Sequence, residues 1–194
     1  MYIHLEHDNS VDPRVLRTRE LLINSFAKLL IEHKSIRKVS VQSVTELAGV
    51  NRVTFYAHFT DKYELLDVWA RLMFRQSVVE KLPDNASFNK NNLNLLITAT
   101  LDFFIARNKY RRRINQQFES MFETAIQQEL QTLLARMLAE NSLLSGQPTP
   151  QHNIAAFLSW AIFGSLLDWS RKQNEQTKEM LVMDIVSLCE AAIL

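Results

Sequence analysis

Residues that break helices are scarce in this chain, which has 3 glycines and 4 prolines in 194 residues. Because hairpins and tight turns depend on glycine and proline, their scarcity argues against a turn-rich β architecture. Alanine, leucine, glutamine and glutamate are frequent, and all four are good helix formers. The composition therefore predicts an all-α fold, and a hydrophobic content of 47% can supply one substantial core or two modest ones.

Cysteine is also nearly absent, since Cys189 is the only one, and an intrachain disulfide is thereby excluded. The chain has no apolar run long enough to cross a membrane and no signal-peptide pattern. His4 and His7 do not predict a metal site, because further ligands at suitable spacing are missing. We therefore expect a cytoplasmic protein without a metal or another cofactor.

Charge of either sign shows little excess, since 22 basic and 21 acidic residues give a formal net charge of +1. Such a balance at first argues against a nucleic-acid partner. The distribution is uneven, however, because residues 17 to 62 hold eight basic and four acidic side chains. This local excess of four positive charges would supply the salt-dependent, sequence-independent part of DNA affinity.

Residues 39 to 66 have the signals of a helix-turn-helix, in the sequence VSVQSVTELAGVNRVTFYAHFTDKYELL. Ser40 is a good N-cap for a first helix, and Gly49 suits the left-handed conformation at its C-terminus. Asn51 can then cap a second helix. In the first helix, the spacing predicts four apolar side chains that face inward: Val41, Val44, Leu47 and Ala48.

The second helix is predicted to have two chemically different faces. Phe55 and Phe59 share the inward side. On the other side, an arginine can bond bidentately to guanine, and the methyl groups of valine and threonine can touch a thymine methyl. These residue types suit a helix that lies in the major groove. The candidate base-reading residues are Arg52, Val53 and Thr54.

A further helix is predicted to begin at Asp61, because Asp61 can act as N-cap and Glu64 completes an arrangement that resembles a capping box. Lys62 then lies in the first turn, where a cation opposes the helix dipole. A phosphate bound jointly by Lys62 and the terminal amides would offset this local cost.

The segment from Ala48 to Lys62, AGVNRVTFYAHFTDK, resembles the DNA-binding motif of the TetR family of bacterial transcriptional regulators. The resemblance covers roughly residues 15 to 70. It implies a homodimer of all-helical chains, each with a three-helix DNA-binding domain and a larger helical effector-binding and dimerisation domain. We expect about nine helices in each chain. The resemblance assigns phosphate contacts to Tyr56, His58 and Lys62. We add Ser40, the cap of the first helix, to these candidate phosphate-contacting residues.

Two residues depart from the family pattern. Thr45 lies where the family usually has alanine, and its hydroxyl is expected to bond to the carbonyl four residues earlier. Val53 lies where small residues such as glycine are common, which leaves the identity of the preferred bases open.

The domain organisation is predicted from the motif and from the pattern after it. We expect a flexible arm over residues 1–14, a helix-turn-helix DNA-binding domain over residues 15–66, and a helical ligand-binding and dimerisation domain over residues 67–194. The resemblance implies a repressor that a small molecule releases from a pseudo-palindromic operator. An activator or a coactivator controlled by a partner protein is the alternative. An enzyme is not expected, because the chain has no glycine-rich phosphate loop, nucleophile elbow or HExxH pair.

The last two predicted helices are the candidate dimer interface. The helix from Gln151 to Lys172 is apolar nearly all round, so its second side needs a cover, and a partner subunit is the economical one. With the helix from Thr177 to Ala192, this predicts a four-helix bundle across a twofold axis. The alternative is a central helix of a monomer.

An apolar or aromatic effector is predicted from the aromatic and methionine side chains between residues 93 and 169. Ordinary core packing is the alternative for each of them. The candidate lining residues are Phe103, Phe104, Tyr110, Phe118, Met121, Phe122, Trp160 and Phe163.

Overall fold

All regular structure in the described part of the chain is helical, which confirms the predicted all-α class. The computed structural model describes residues 12–83, 85–111, 116–139, 149–172 and 176–192. None of the helices within these ranges is long and apolar enough to cross a membrane.

Eight α-helices and one short 3₁₀ turn make up the described structure. The helices are α1 (Pro13–His33), α2 (Val41–Ala48), α3 (Arg52–Tyr56), α4 (Lys62–Val79), α5 (Lys90–Arg111), α6 (Gln116–Ala139), α7 (Gln151–Arg171) and α8 (Lys178–Ala191), and the 3₁₀ turn is Ile36–Lys38.

Local capping signals explain where the first and last helices begin. Asp12 accepts a hydrogen bond of 2.8 Å from the Arg14 amide, and Pro13 at the first helical position needs no partner for an amide. Residues 13 and 14, predicted as part of an arm, therefore belong to α1, while residues 1–11 of that arm lie outside the described residues. Thr177 caps α8 in the same way through the amide of Met180.

The chain forms two compact units, the first of which comprises Met1–Met73 and Arg113–Ala125. Its core is built from fully buried side chains of α1 and α4, among them Phe26 and Leu66. The Trp69 ring contacts the Phe26 ring edge-on at a centroid distance of 6.3 Å, and it contacts the Phe122 ring at 5.9 Å. Aromatic packing thus joins α1, α4 and the described start of α6 in this unit.

The second unit comprises Phe74–Arg112 and Ile126–Leu194, and buried polar side chains are hydrogen-bonded in its core. The Arg75 guanidinium binds the buried carboxylate of Glu129 at 2.7 Å. The Gln127 amide donates to the Ser159 hydroxyl at 3.0 Å. Because these buried polar groups are hydrogen-bonded, they do not carry the full cost of desolvation.

Asp102 on α5 ties together the turn after α4 and the start of α8 in the second unit. Its carboxylate accepts a 2.6 Å hydrogen bond from Lys81 and a further one from Lys178. Burial by itself would raise the pKa of Asp102, but the hydrogen bonds from Lys178 and Lys81 outweigh burial and lower the pKa from its ordinary value.

Candidate nucleic-acid interface

A capping box begins α2. The Ser40 hydroxyl accepts a 3.0 Å hydrogen bond from the Ser43 amide, and the Ser43 hydroxyl accepts one of 3.1 Å from the Ser40 amide. Two amides without helical partners are thereby satisfied. Ser40 is exposed at this helix start, as a residue that meets a phosphate must be.

The buried face of α2 differs from the predicted one. Leu47, expected to face inward, is 42% exposed, and Thr45 is buried in its place. Successive residues of an α-helix are about 100° apart, so Thr45 and Leu47 lie about 200° apart around α2. A buried face that extends from Val44 to Thr45 therefore leaves Leu47 toward solvent. The Thr45 hydroxyl donates to the carbonyl of Gln42 at 2.9 Å, three residues earlier and not four as expected.

Gly49 makes the turn between α2 and α3, as predicted. Its backbone is left-handed, with φ 69° and ψ 31°, and a Cβ atom added there would meet nothing within 4 Å. Glycine is therefore favoured at this position by its backbone conformation and not by lack of space. The Val50 amide closes the turn with a 3.0 Å hydrogen bond to the Thr45 carbonyl.

The short helix α3 begins at the predicted cap and has the two predicted faces. The Asn51 side chain accepts a 2.8 Å hydrogen bond from the Thr54 amide. Phe55 and Phe59 are buried with their ring centroids 5.8 Å apart. The opposite side is open, because Val53 is 79% exposed and Arg52 is exposed as well.

The candidate base-reading residues differ in exposure and in the groups that are left to contact a base. Arg52 and Val53 have exposed side chains on one surface of α3. Thr54 is half-buried, and its hydroxyl already donates to Asn51 at 3.0 Å. Its methyl group and the acceptor lone pairs of its hydroxyl are therefore the parts that are left for a base contact.

Tyr56 and His58 follow at the end of α3. Tyr56 is 57% exposed, and its ring lies edge-to-face with the Phe55 ring at a centroid distance of 5.4 Å. His58 is half-buried. Burial, together with the positive charge of Arg19, lowers the pKa of His58 from its ordinary value, so the imidazole is mainly neutral at pH 7. A neutral imidazole can still donate one hydrogen bond to a phosphate oxygen.

Two carboxylates, those of Asp61 and Glu64, cap backbone amides at the N-terminus of α4. The Asp61 carboxylate accepts hydrogen bonds from the amides of Tyr63 and Glu64 at 2.8 and 2.9 Å. The Glu64 carboxylate reaches back to the amide of Thr60 at 2.6 Å, one residue before the position used in a standard capping box. This bond to the Thr60 amide is the main reason why the pKa of Glu64 is lowered.

Lys62, predicted to contact phosphate, has an additional role within the chain. Its ammonium nitrogen donates to the carbonyls of Ile36 at 2.9 Å and Val39 at 2.8 Å. Burial lowers the pKa of Lys62 from its ordinary value. An ammonium group has three N–H bonds, so one of them is left for a phosphate oxygen.

Arg19 makes a contact in this region that the sequence does not predict. From sequence alone it could be either a solvated end of the first helix or a contact to the DNA backbone. Its guanidinium instead donates to the His58 carbonyl at 3.1 Å. The two residues are 39 positions apart, so no local spacing signals the contact.

The candidate effector-lining residues are divided between the two units. Met121 and Phe122 belong to the first unit. Four rings of the second unit form a chain of contacts with centroid distances between 5.6 and 6.3 Å, in the order Phe103, Phe104, Phe163 and Trp160. The side chains of the other two candidates, Tyr110 and Phe118, lie outside the described residues.

Large apolar side chains are exposed along one face of α7 and one face of α8, which we call the α7–α8 apolar face. Trp160 is 61% exposed and Leu188 is 70% exposed. Phe157 and Trp160 are three positions apart on α7, and Met180 and Met183 are three positions apart on α8, so each pair lies on one side of its helix. Leu188 follows eight positions after Met180, about 80° from it around α8. The large members of the face are Phe157, Trp160, Met180, Met183 and Leu188.

Comparison with known proteins finds similarity to bacterial DNA-binding regulators in the segment that contains the helix-turn-helix. Residues 25–68 match the family described as bacterial regulatory proteins, tetR family. YxbF of Bacillus subtilis, an uncharacterised HTH-type transcriptional regulator, is 36% identical over 61 residues. The aligned segment is 31% of this chain and only 16% of YxbF, so the similarity to YxbF covers a small part of that protein.

Solved structures resemble the chain over nearly its whole length. RolR in complex with resorcinol has a TM-score of 0.55 and 17% identity, and the match covers 93% of this chain and 89% of RolR. The fatty acid degradation regulator FadR from Bacillus halodurans has a TM-score of 0.50 and 15% identity, with 92% of this chain and 95% of that chain covered. At such identities the likeness concerns the fold.

Proposed function

Because the chain belongs to the TetR family of bacterial regulatory proteins, we propose that it is a transcriptional repressor that binds a pseudo-palindromic DNA operator. The observation that carries the proposal is the open face of α3, where Val53 is 79% exposed although Phe55 on the other side is fully buried. A short helix that presents arginine, valine and threonine outward from a rigid base suits the major groove.

The residues of the motif divide into two groups in this proposal. The base-reading group, Arg52, Val53 and Thr54, meets the edges of the bases and sets sequence preference. The phosphate group positions the protein on the duplex and supplies the salt-dependent part of the affinity. It consists of Ser40, Tyr56, His58 and Lys62.

We further propose that two copies of the chain associate through the α7–α8 apolar face. A row of exposed Trp, Phe, Met and Leu side chains is costly in water, and a second copy of the same face can cover it. A twofold dimer presents two copies of α3 to one side of the duplex. Its operator would have half-sites separated by about one helical turn of DNA, roughly 34–36 Å, or a multiple of it.

The proposed effector is a small apolar or aromatic molecule that lowers the affinity for the operator. The support is the chain of four aromatic rings in the second unit, since aromatic side chains favour ligands of the same character. RolR, which shares the fold, is described in complex with resorcinol, an aromatic compound.

The test of the DNA-binding function is selection of bound fragments from the source genome with this chain. We expect the enriched fragments to share one inverted repeat, and small aromatic compounds added to the complex to release them. Enrichment without release would support the alternative of control by a partner protein. If no fragment is enriched over random DNA, the proposed function is wrong.

Replacing Arg52 with alanine should change base preference more than general DNA affinity. A bidentate arginine–guanine pair is worth about 1–3 kcal/mol of discrimination, so one base pair of each half-site should lose its preference by that amount. Binding to a set of operators mutated singly at each position measures this. Arg136, an exposed arginine of α6, provides the control, since Arg136→Ala should leave the preference unchanged.

Replacing Lys62 with alanine should weaken binding to all DNA sequences alike. Loss of one phosphate contact lowers the slope of log affinity against log salt by about one for each half-site. The stability of the first unit should fall as well, because the carbonyls of Ile36 and Val39 lose their donor. Titrations at several salt concentrations check the slope, and a slope equal to that of the unaltered chain would exclude the phosphate contact.

A further inference from the structure

The helix-turn-helix is tied to its neighbouring helices by cations at both of its ends. Before α2, the carbonyls of Ile36 and Val39 accept hydrogen bonds from Lys62 of α4. After α3, the carbonyl of His58 accepts one from Arg19 of α1 at 3.1 Å. The pair formed by α2 and α3 is therefore held at its entry by α4 and at its exit by α1.

The contact made by Arg19 has two parts. Besides the hydrogen bond to His58, the guanidinium lies over the ring of Phe59, with its central carbon 4.5 Å from the ring centroid. Phe59 is itself buried against Phe55, the core residue of α3. A planar guanidinium can stack on a ring and donate to a carbonyl at the same time, whereas a lysine ammonium has no plane to stack.

The orientation of α3 depends on what holds its ends. With only five residues, α3 has too few internal hydrogen bonds to be stable by itself. Its first turn is capped by Asn51 from within the motif, whereas the His58 carbonyl after α3 accepts its hydrogen bond from another helix. Arg19 supplies the donor for this carbonyl and packs against the ring that follows it.

We propose that Arg19 is a positioning residue for DNA recognition, which fixes the end of α3 so that the base-reading face meets the base edges. The inference rests on the proposed function. Hydrogen bonds to bases depend on precise placement of the donor, whereas attraction to phosphates falls off slowly with distance. Loss of Arg19 should therefore reduce the preference for the operator more than the affinity for DNA in general.

The test compares Arg19→Gln with the unaltered chain on two duplexes, the selected operator and a scrambled sequence of the same length. We expect the ratio of the two affinities to fall about tenfold, as for the loss of a hydrogen bond that involves a charged group. On the scrambled duplex, the salt slope should not change, because Arg19 neutralises no phosphate. Arg136→Gln removes an exposed charge from α6, outside the basic segment from residue 17 to 62, and should alter neither quantity.

Two results would overturn the inference. One is an unchanged ratio of affinities, and the other is a salt slope lowered by about one for each subunit, which would make Arg19 a phosphate contact. If circular dichroism shows that Arg19→Gln is not folded, Arg19→Lys decides, because it keeps the charge without the planar group. Operator preference lost by Arg19→Lys at an unchanged slope supports the positioning role, and full retention contradicts it.

A different result would show that the proposed function itself is wrong. In that case the unaltered chain would show no preference for any duplex over scrambled DNA, before any variant is compared. A preference that is present in the unaltered chain and equally present in both Arg19 variants refutes the positioning role alone.

Discussion

A chain with Leu188→Glu is expected to be monomeric at micromolar concentration and to bind its operator about a hundredfold or more weakly. Leu188 is 70% exposed within its own chain, so the change should cost little stability in the monomer. In a dimer it would place a carboxylate in the centre of an apolar contact, where burial of an unpaired charge is unfavourable. Binding of the second half-site is then no longer intramolecular, which removes an avidity gain of about 10²–10⁴.

Light scattering and operator titration together check this expectation. The matched control is Ile31→Glu, which places the same charge at an exposed apolar position of α1 and should leave the chain dimeric. Trp160→Glu tests the α7 side of the same face and should act like Leu188→Glu. An unaltered chain that is monomeric at micromolar concentration would refute the dimer, and dimers that persist in both variants would show that another surface forms the interface.

Replacing Phe55 with alanine is expected to lower the free energy of unfolding of the first unit by about 3–5 kcal/mol. Phe55 is fully buried, and its ring contacts the rings of Tyr56 and Phe59. Because α3 is too short to persist by itself, the burial of Phe55 is a main source of its stability. Operator binding should be lost together with the fold of α3.

Denaturant unfolding and hydrogen exchange of the α1–α4 amides measure this effect. Val53→Ala is the matched control, since Val53 lies on the opposite face of the same helix and is almost fully exposed. It should change the free energy of unfolding by less than about 0.5 kcal/mol while it alters binding to DNA. A loss below about 1 kcal/mol for Phe55→Ala would mean that the site collapses around the cavity and that other contacts hold α3.

Much of the motif could be predicted because its signals are local. Ser40, Gly49, Asn51 and Asp61 each act on backbone groups within a few residues of themselves, and the structure places all four as predicted. The burial of Phe55 and Phe59 also followed from helical spacing. In such cases the residue type and its neighbours suffice, because capping and turn conformation depend on short-range geometry.

The prediction that Leu47 is buried was wrong, because spacing within one short helix does not define which side is buried. Hydrophobicity favours Leu47 as the buried residue, yet Thr45 lies on the buried face and satisfies its hydroxyl on the Gln42 carbonyl. In a helix of eight residues, a pattern of apolar positions does not define the direction of the buried face to better than one residue. The helices packed against α2 decide that direction.

The sequence by itself determined the helical class, the caps and turn of the motif, and the chemistry of the exposed side of α3. Only the tertiary structure decided what the cations around the motif bind. Lys62 reaches the carbonyls of Ile36 and Val39, and Arg19 reaches the carbonyl of His58. The physical reason is that local signals act within one or two turns of chain, whereas a side chain meets a distant carbonyl only after packing has brought their helices together.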